Sequence, residues 1–202
     1  MTNRVKFSSH DLIGKELNIE PPVENDSFFL RILDRIIPEK PKSCECEFII
    51  RIPTYLYLRA AALVDFICEE YDLDFDLGTF IWILYRDFLG RAYKYNNLIE
   101  LCNFINAMED NEVKVIDYQG AIINRSKVPE GMTKIIITLT KKEALKGELV
   151  LSDLYEAFCI SITLERLIEM HFIHFIREYK KGNLPNAVAD IVKYCKRIFP
   201  ND

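Results

Sequence analysis

Sliding the chain against itself by 87 residues lays one apolar pattern over another without a gap. Ile50 falls on Ile137, Leu58 on Leu145, Leu63 on Val150 and Ile67 on Leu154. The register continues through Leu73, Phe75 and Leu77 over Ile160, Ile162 and Leu164, then through Phe80, Ile81, Phe88 and Leu89 over Leu167, Ile168, Phe175 and Ile176. Few of the paired residues are identical, so the echo lies in side-chain character rather than identity. Binary patterning of this kind selects fold class, and agreement through several consecutive elements reads as an internal duplication.

Each copy divides into four parts. A β-branched and aliphatic run (Phe48 to Ile52; Ile135 to Leu139) reads as a short strand. Apolar spacing of three and four residues from Leu56 to Tyr71, and from Leu145 to Phe158, reads as a helix. Thr140 and Glu143 form a T-x-x-E capping box before the second of these, and Thr54 is expected to cap the first. A polar/apolar alternation follows at 72–77 and 159–164, with Asp76 and Thr163 placed to cap the next helix. That helix (77–94; 164–180) is apolar on nearly every face and is expected at the centre of the core. A shorter helix is expected over 97–109 and 185–198.

The expected fold is therefore α+β, predominantly helical: one domain made of two strand-helix-helix-helix copies packed about a pseudo-twofold axis. Residues 1–26 read as a loosely attached polar lead-in, 27–110 as the first copy, 111–133 as a connecting hairpin or loop turning at Gly120, and 134–202 as the second copy. An isolated copy would leave its broad apolar faces uncovered, so each is expected to bury its central helix against the other.

Half of the 202 residues are apolar and 28% are charged, which suits a folded chain with a large core. No apolar run approaches the roughly 20 residues of a membrane span, and the first residues lack the apolar stretch of a secretory signal. A cytoplasmic protein is expected, with no membrane partner. Six cysteines lack framework spacing; Cys68, Cys102, Cys159 and Cys195 fall on helical-looking apolar stretches, and Cys44 with Cys46 makes a lone C-x-C without a second pair. The net charge of −5 is uneven: −1 over residues 1–53, −6 over 54–116 and +2 over 117–202. The middle third would repel a polyanion and the last third would tolerate one.

Three constellations bear on chemistry. Asp72, Asp74 and Asp76 open like a calcium loop, but Leu77 and Ile83 stand where such a loop needs Gly and Glu, leaving an acidic surface run as the better account. His171, His174 and Glu178 share one helical face and could hold a metal, although Leu84, Asp87 and Arg91 at the matching positions could not. Glycine-rich phosphate loops and nucleophile motifs are missing, so a non-catalytic chain with no cofactor is expected.

The strand ending I-x-I-P or I-x-L-T, followed by two helices joined at a bend, resembles the ribbon-helix-helix DNA-binding family over 47–94 and again over 134–181. The resemblance implies that the two strands pair antiparallel within one chain and that the ribbon enters the major groove. Its outward positions would be Glu47, Ile49 and Arg51, with Lys134, Ile136 and Thr138. The first helix is about a turn longer than in that family, the bend has no Gly, and two of the six ribbon positions are isoleucine.

From the residues, the expected function is that of a regulatory or adaptor protein bound to another macromolecule, a protein before nucleic acid. Tyr55, Tyr57, Asp72, Asp74 and Asp76 are the candidate protein contacts. Arg51, Lys134, Thr138, Lys141, Lys142 and Lys146 are the nucleic-acid candidates, and His171, His174 and Glu178 the metal candidates of a third, enzymatic reading.

Overall fold

The computed structural model describes residues 5–17, 45–95, 97–109, 115–116, 122–123 and 131–198. It is mostly helical, and its principal sheet is a two-stranded antiparallel ribbon formed by β1 (Glu45–Pro53) and β4 (Met132–Thr140). A short second pairing joins β2 (Val115–Ile116) to β3 (Ile122–Ile123) inside the expected connecting hairpin. Gly120 and most of that connection, like Cys44 and residues 18–44, lie outside the described residues.

The ribbon register pairs Glu47 with Thr138, Ile49 with Ile136, and Arg51 with Lys134. Side chains alternate across a strand, so Cys46, Phe48, Ile50 and Ile52 of β1 face the core while Glu45, Glu47, Ile49 and Arg51 face out. β4 likewise turns Ile137 and Leu139 inward and Lys134, Ile136 and Thr138 outward.

After each strand comes an 18-residue helix, α2 (Thr54–Tyr71) and α5 (Lys141–Phe158). Both end on a residue in the left-handed conformation, Asp72 at φ 52° and Cys159 at φ 57°. The central helices, α3 (Leu77–Tyr95) and α6 (Leu164–Lys181), pack against each other, with Phe80 edge-on to Phe172 and Phe175 at centroid distances of 6.2 and 5.6 Å. From β1 through the start of α3, element boundaries recur 87 residues later in β4, α5 and α6. The register slips by two residues only at the last pair, α4 (Leu98–Glu109) and α7 (Ala187–Ile198).

The capping chemistry follows the sequence at three of four helix starts. Thr140 and Glu143 form the full box. Asp76 accepts from the Thr79 N–H at 2.7 Å, and Thr163 from the Arg166 N–H at 3.3 Å. Thr54 does not cap α2: Pro53 holds the cap position, and the Thr54 hydroxyl instead meets that of Thr133 at 3.0 Å, stitching the helix start to β4. Glu143 has a further task. It accepts from Arg86 at 2.8 Å and from Trp82 at 3.2 Å, tying α3 to the first turn of α5. Burial alone would raise its carboxyl, but these bonds and those from Thr140 outweigh it and leave the group below its ordinary value.

The described part of the lead-in is fastened rather than loose. Phe7 and Leu12 are buried in the core. Glu148, fully buried in α5, accepts from the Ser8 hydroxyl and from the Leu12 and Ile13 N–H groups at 3.0 and 2.8 Å, at the start of α1 (Leu12–Leu17). The carboxylate thus satisfies N–H groups that a helix leaves free at its first turn. The polar composition of this segment concealed two apolar anchors and one distant acid.

Candidate functional site

The outward face of the ribbon gathers the residues that the resemblance singled out. At its centre stand Ile49 and Ile136, directly opposite each other and 58% and 61% exposed. Arg51 and Lys134 lie opposite each other toward one end, and Glu47 with Thr138 toward the other, where Glu45 adds a second acid. The Arg51 N–H is taken by Glu169 Oε1 at 2.7 Å, so Arg51 does not exchange ladder bonds with Lys134. In such pairs the side chains approach closely. Two cations therefore face solvent side by side, a costly arrangement without an acidic neighbour.

The two ribbon edges are finished differently. Along β1, Glu169 of α6 binds the Arg51 N–H, and His10 Nε2 donates to the Glu47 carbonyl at 2.7 Å while its ring packs edge-on to Phe48. These contacts cover an edge that would otherwise invite another strand. Beside β4 lies a groove of about 440 Å³ between Ile136, Ile137 and Thr138 on one wall and Asp76, Thr79 and Trp82 on the other.

The remaining basic candidates are dispersed. Lys141 pairs with Glu16 at 2.7 Å. Lys146 sits over the Tyr93 ring at 6.0 Å, and its carbonyl accepts the Tyr93 hydroxyl at 3.0 Å. Lys141 and the exposed Lys142 follow the acidic end of the ribbon, seven residues along β4 from Lys134 and so roughly 23 Å away at about 3.3 Å per residue. Of the six, only Arg51, Lys134 and Thr138 share the ribbon face.

Among the protein-contact candidates, Tyr55 is exposed, whereas Tyr57 is half-buried against the core. Asp72, Asp74 and Asp76 all reach solvent, with Phe75 buried between the last two. Asp76 is committed to its cap, and the Thr79 N–H and hydroxyl hold its carboxyl below the ordinary value. Cys159 also departs from expectation: it is exposed at the left-handed end of α5 rather than buried on a helix.

The three metal candidates separate by what they touch. His171 is buried between the rings of Phe88 and Phe104. His174 also meets Phe104, and its Nδ1 is buried without a hydrogen-bond partner. Glu178 instead binds Lys181 and Asn183 at 2.7 and 2.6 Å at the end of α6. Among the described residues no three His, Cys, Asp or Glu side chains converge as a ligand set.

Glu148 and Glu169 are the polar residues that sequence reasoning passed over. Their only signal was a carboxylate at a position whose counterpart in the first copy is Ala61 or Trp82. No protein-family model, curated protein or solved structure matches the chain. No helix among the described residues is long and apolar enough to cross a membrane.

Proposed function

We propose that this chain is a non-catalytic cytoplasmic adaptor or regulator, formed by tandem duplication of one strand-helix-helix-helix unit, and that it binds another protein through the outward face of the β1–β4 ribbon. The observation that carries the reading is the exposed Ile49–Ile136 pair at the ribbon centre, flanked by two unshared cations. Apolar side chains set at the middle of a polar rim are the composition of a protein contact. Arg51 and Lys134 ask the partner for an acidic group next to its own apolar residue. The groove beside β4, walled by Ile136, Ile137 and Thr138, offers room for a partner side chain next to the exposed Ile136.

The duplication accounts for the ribbon register. Ile136 is the counterpart of Ile49 at the 87-residue offset, so a twofold axis through that pair exchanges the two copies.

A second reading, a single-chain DNA regulator resembling ribbon-helix-helix proteins, is favoured by the antiparallel pairing of the two strands. It is the weaker one because the central side chains have no hydrogen-bonding groups with which to read base edges. Glu45 and Glu47 also offset the charge of Arg51 and Lys134, and duplex affinity depends on net phosphate neutralisation.

Affinity capture from native-host extract, using the wild-type chain and an Ile49→Asp/Ile136→Asp variant, tests the first reading. A protein retained by the wild type and lost by the folded variant supports it. Fluorescence anisotropy with duplex DNA tests the second. Low-salt binding that weakens steeply toward physiological salt and falls in Arg51→Ala/Lys134→Ala would replace the protein reading with the DNA one.

A further inference from the structure

A cleft of about 460 Å³ opens between α3, α4, α6 and the turn into α7, a size ordinary for a small-molecule site. Its apolar lining includes Leu84, Phe104, Phe175 and Ile191, and two imidazoles interrupt it. His171 is only 6% exposed. Among the described residues its ring meets Phe88 and Phe104 edge-on and receives no hydrogen bond. The Nδ1 of His174, one helical turn on, is the buried side-chain polar atom that lacks a partner among the described residues.

A neutral imidazole carries one donor and one acceptor, and buried polar atoms are nearly always paired. The Nδ1 of His174 is therefore an exception among the described residues, and the His171 ring beside it, without a hydrogen bond, adds a second imidazole to the same cleft. Burial holds the His171 imidazole neutral, with its pKa pushed down to about 3, and His174 is lowered by the same cause.

Charge at the rim narrows the ligand class. Asp87, Glu178 and Asp190 line the cleft, and although Arg91 and Lys181 pair with the first two, Asp190 adds an acid with no ion pair among the described residues, so the lining disfavours an anion. Arg91 also lines it, its Nε bound to Asp87 at 2.8 Å and its guanidinium 5.4 Å from the Phe104 ring centre, so the aromatic face that would receive a ligand cation already holds one. An uncharged ring suffers neither penalty.

We infer that this cleft binds a small uncharged aromatic molecule carrying one hydroxyl or ring N–H, of the phenol or indole class, with its ring among Phe104, Phe175 and Leu84 and its polar group on His171 or His174.

The test is an NMR titration of the full chain with indole and with phenol, reading the imidazole nitrogen resonances; toluene and benzoate are the comparison probes. Indole and phenol are expected to shift the His171 and His174 signals. Toluene, which lacks the donor, should bind about tenfold more weakly, the ratio that one hydrogen bond to a neutral group supplies. Benzoate should be excluded by the acidic rim. His171→Phe keeps an apolar ring in place and should lose the same tenfold for indole. His174→Leu, at a less buried position, provides the same comparison should the first variant fail to fold. Absence of imidazole shifts at millimolar indole and phenol would overturn the assignment. So would toluene binding as tightly as indole, or indole affinity unchanged in both variants.

Discussion

The two halves of the molecule follow one plan of strand and helices but are fastened by different chemistry. In the first half Ala60 is fully buried, and in the second half Phe172 stands at the position matching Tyr85. Gly147 of the second half stands at the position matching Ala60, and Tyr85 of the first half reaches across with a hydroxyl that donates to the Glu143 carbonyl at 2.7 Å. A Cβ on Gly147 would lie 2.3 Å from that hydroxyl and 2.7 Å from Leu164 Cδ1. The Tyr85 hydroxyl thus occupies the space that a methyl at position 147 would need. A close-packed interior admits only one of the two. Similarly, Ala61 stands where the second half has Glu148, so only the second half fixes the lead-in with a buried acid.

Glu148→Ala should break this asymmetry most severely. It leaves the Leu12 and Ile13 N–H groups without their acceptor inside the fold, an expected loss of about 3 kcal/mol measured by urea unfolding. Residues 5–17 should then become the first site of limited proteolysis. Ala61→Ser, at the matching half-buried place, should change stability by less than about 0.5 kcal/mol.

Acid should separate the halves next, because the histidine on the central helix of the second half faces Leu84 as its counterpart in the first. The unfolded chain protonates this imidazole near its ordinary value of 6.5, whereas burial in the fold delays protonation to about 3. Below pH 6.5 the unfolded state therefore binds more protons, and stability falls as the pH drops, by about 1.4 kcal/mol per unit from this group. Over the two units down to pH 4.5 the loss should approach roughly 2 to 3 kcal/mol. Chemical denaturation of His171→Phe should show a flatter limb over that window. The depressed carboxyls, including Glu143 and Asp76, stabilise above their ordinary values and lose that contribution only at lower pH.

Gly147→Ala should destabilise by about 2 kcal/mol through overpacking. Adding Tyr85→Phe removes the colliding oxygen and reproduces the residue types found at Ala60 and Phe172, so the double variant should regain at least half of the loss in a thermal melt. Failure of that recovery would mean that Leu164 rather than Tyr85 sets the clearance.

The helix caps offer the smallest and most symmetric comparison. Asp76→Ala and Thr163→Ala should each cost about 1 kcal/mol, the former more because Asp76 makes the shorter bond. Thr54→Ala should differ from Thr140→Ala: the Thr54 hydroxyl caps no helix and loses only its meeting with Thr133. Equal losses at Thr54 and Thr140 would show that the stitch to β4 matters as much as a complete capping box.

What could be read from the amino-acid order was local. Alternation marked Phe48–Ile52 and Ile135–Leu139 as strands, three-four spacing marked the helices, and Asp76, Thr140 and Thr163 announced their caps, because each signal lies within one or two turns of its residue. Thr54 misled for the same reason: its local context suits a cap, while its hydroxyl is drawn to Thr133, 79 positions away. The strand pairing was legible only through the resemblance, and the candidate site only in part. Arg51, Lys134 and Thr138 came to one face because they share the outward parity of paired strands, whereas Lys141 and Lys146 found partners in Glu16 and Tyr93 that no spacing rule could nominate. The sequence by itself determined the principal strands and helices and most of the core, though not α1 or its anchors Phe7 and Leu12. Only the tertiary structure decided which edge of the ribbon is covered and which acid holds the lead-in, since Glu148 and Glu169 find their partners across more than a hundred residues, and no periodicity records that choice.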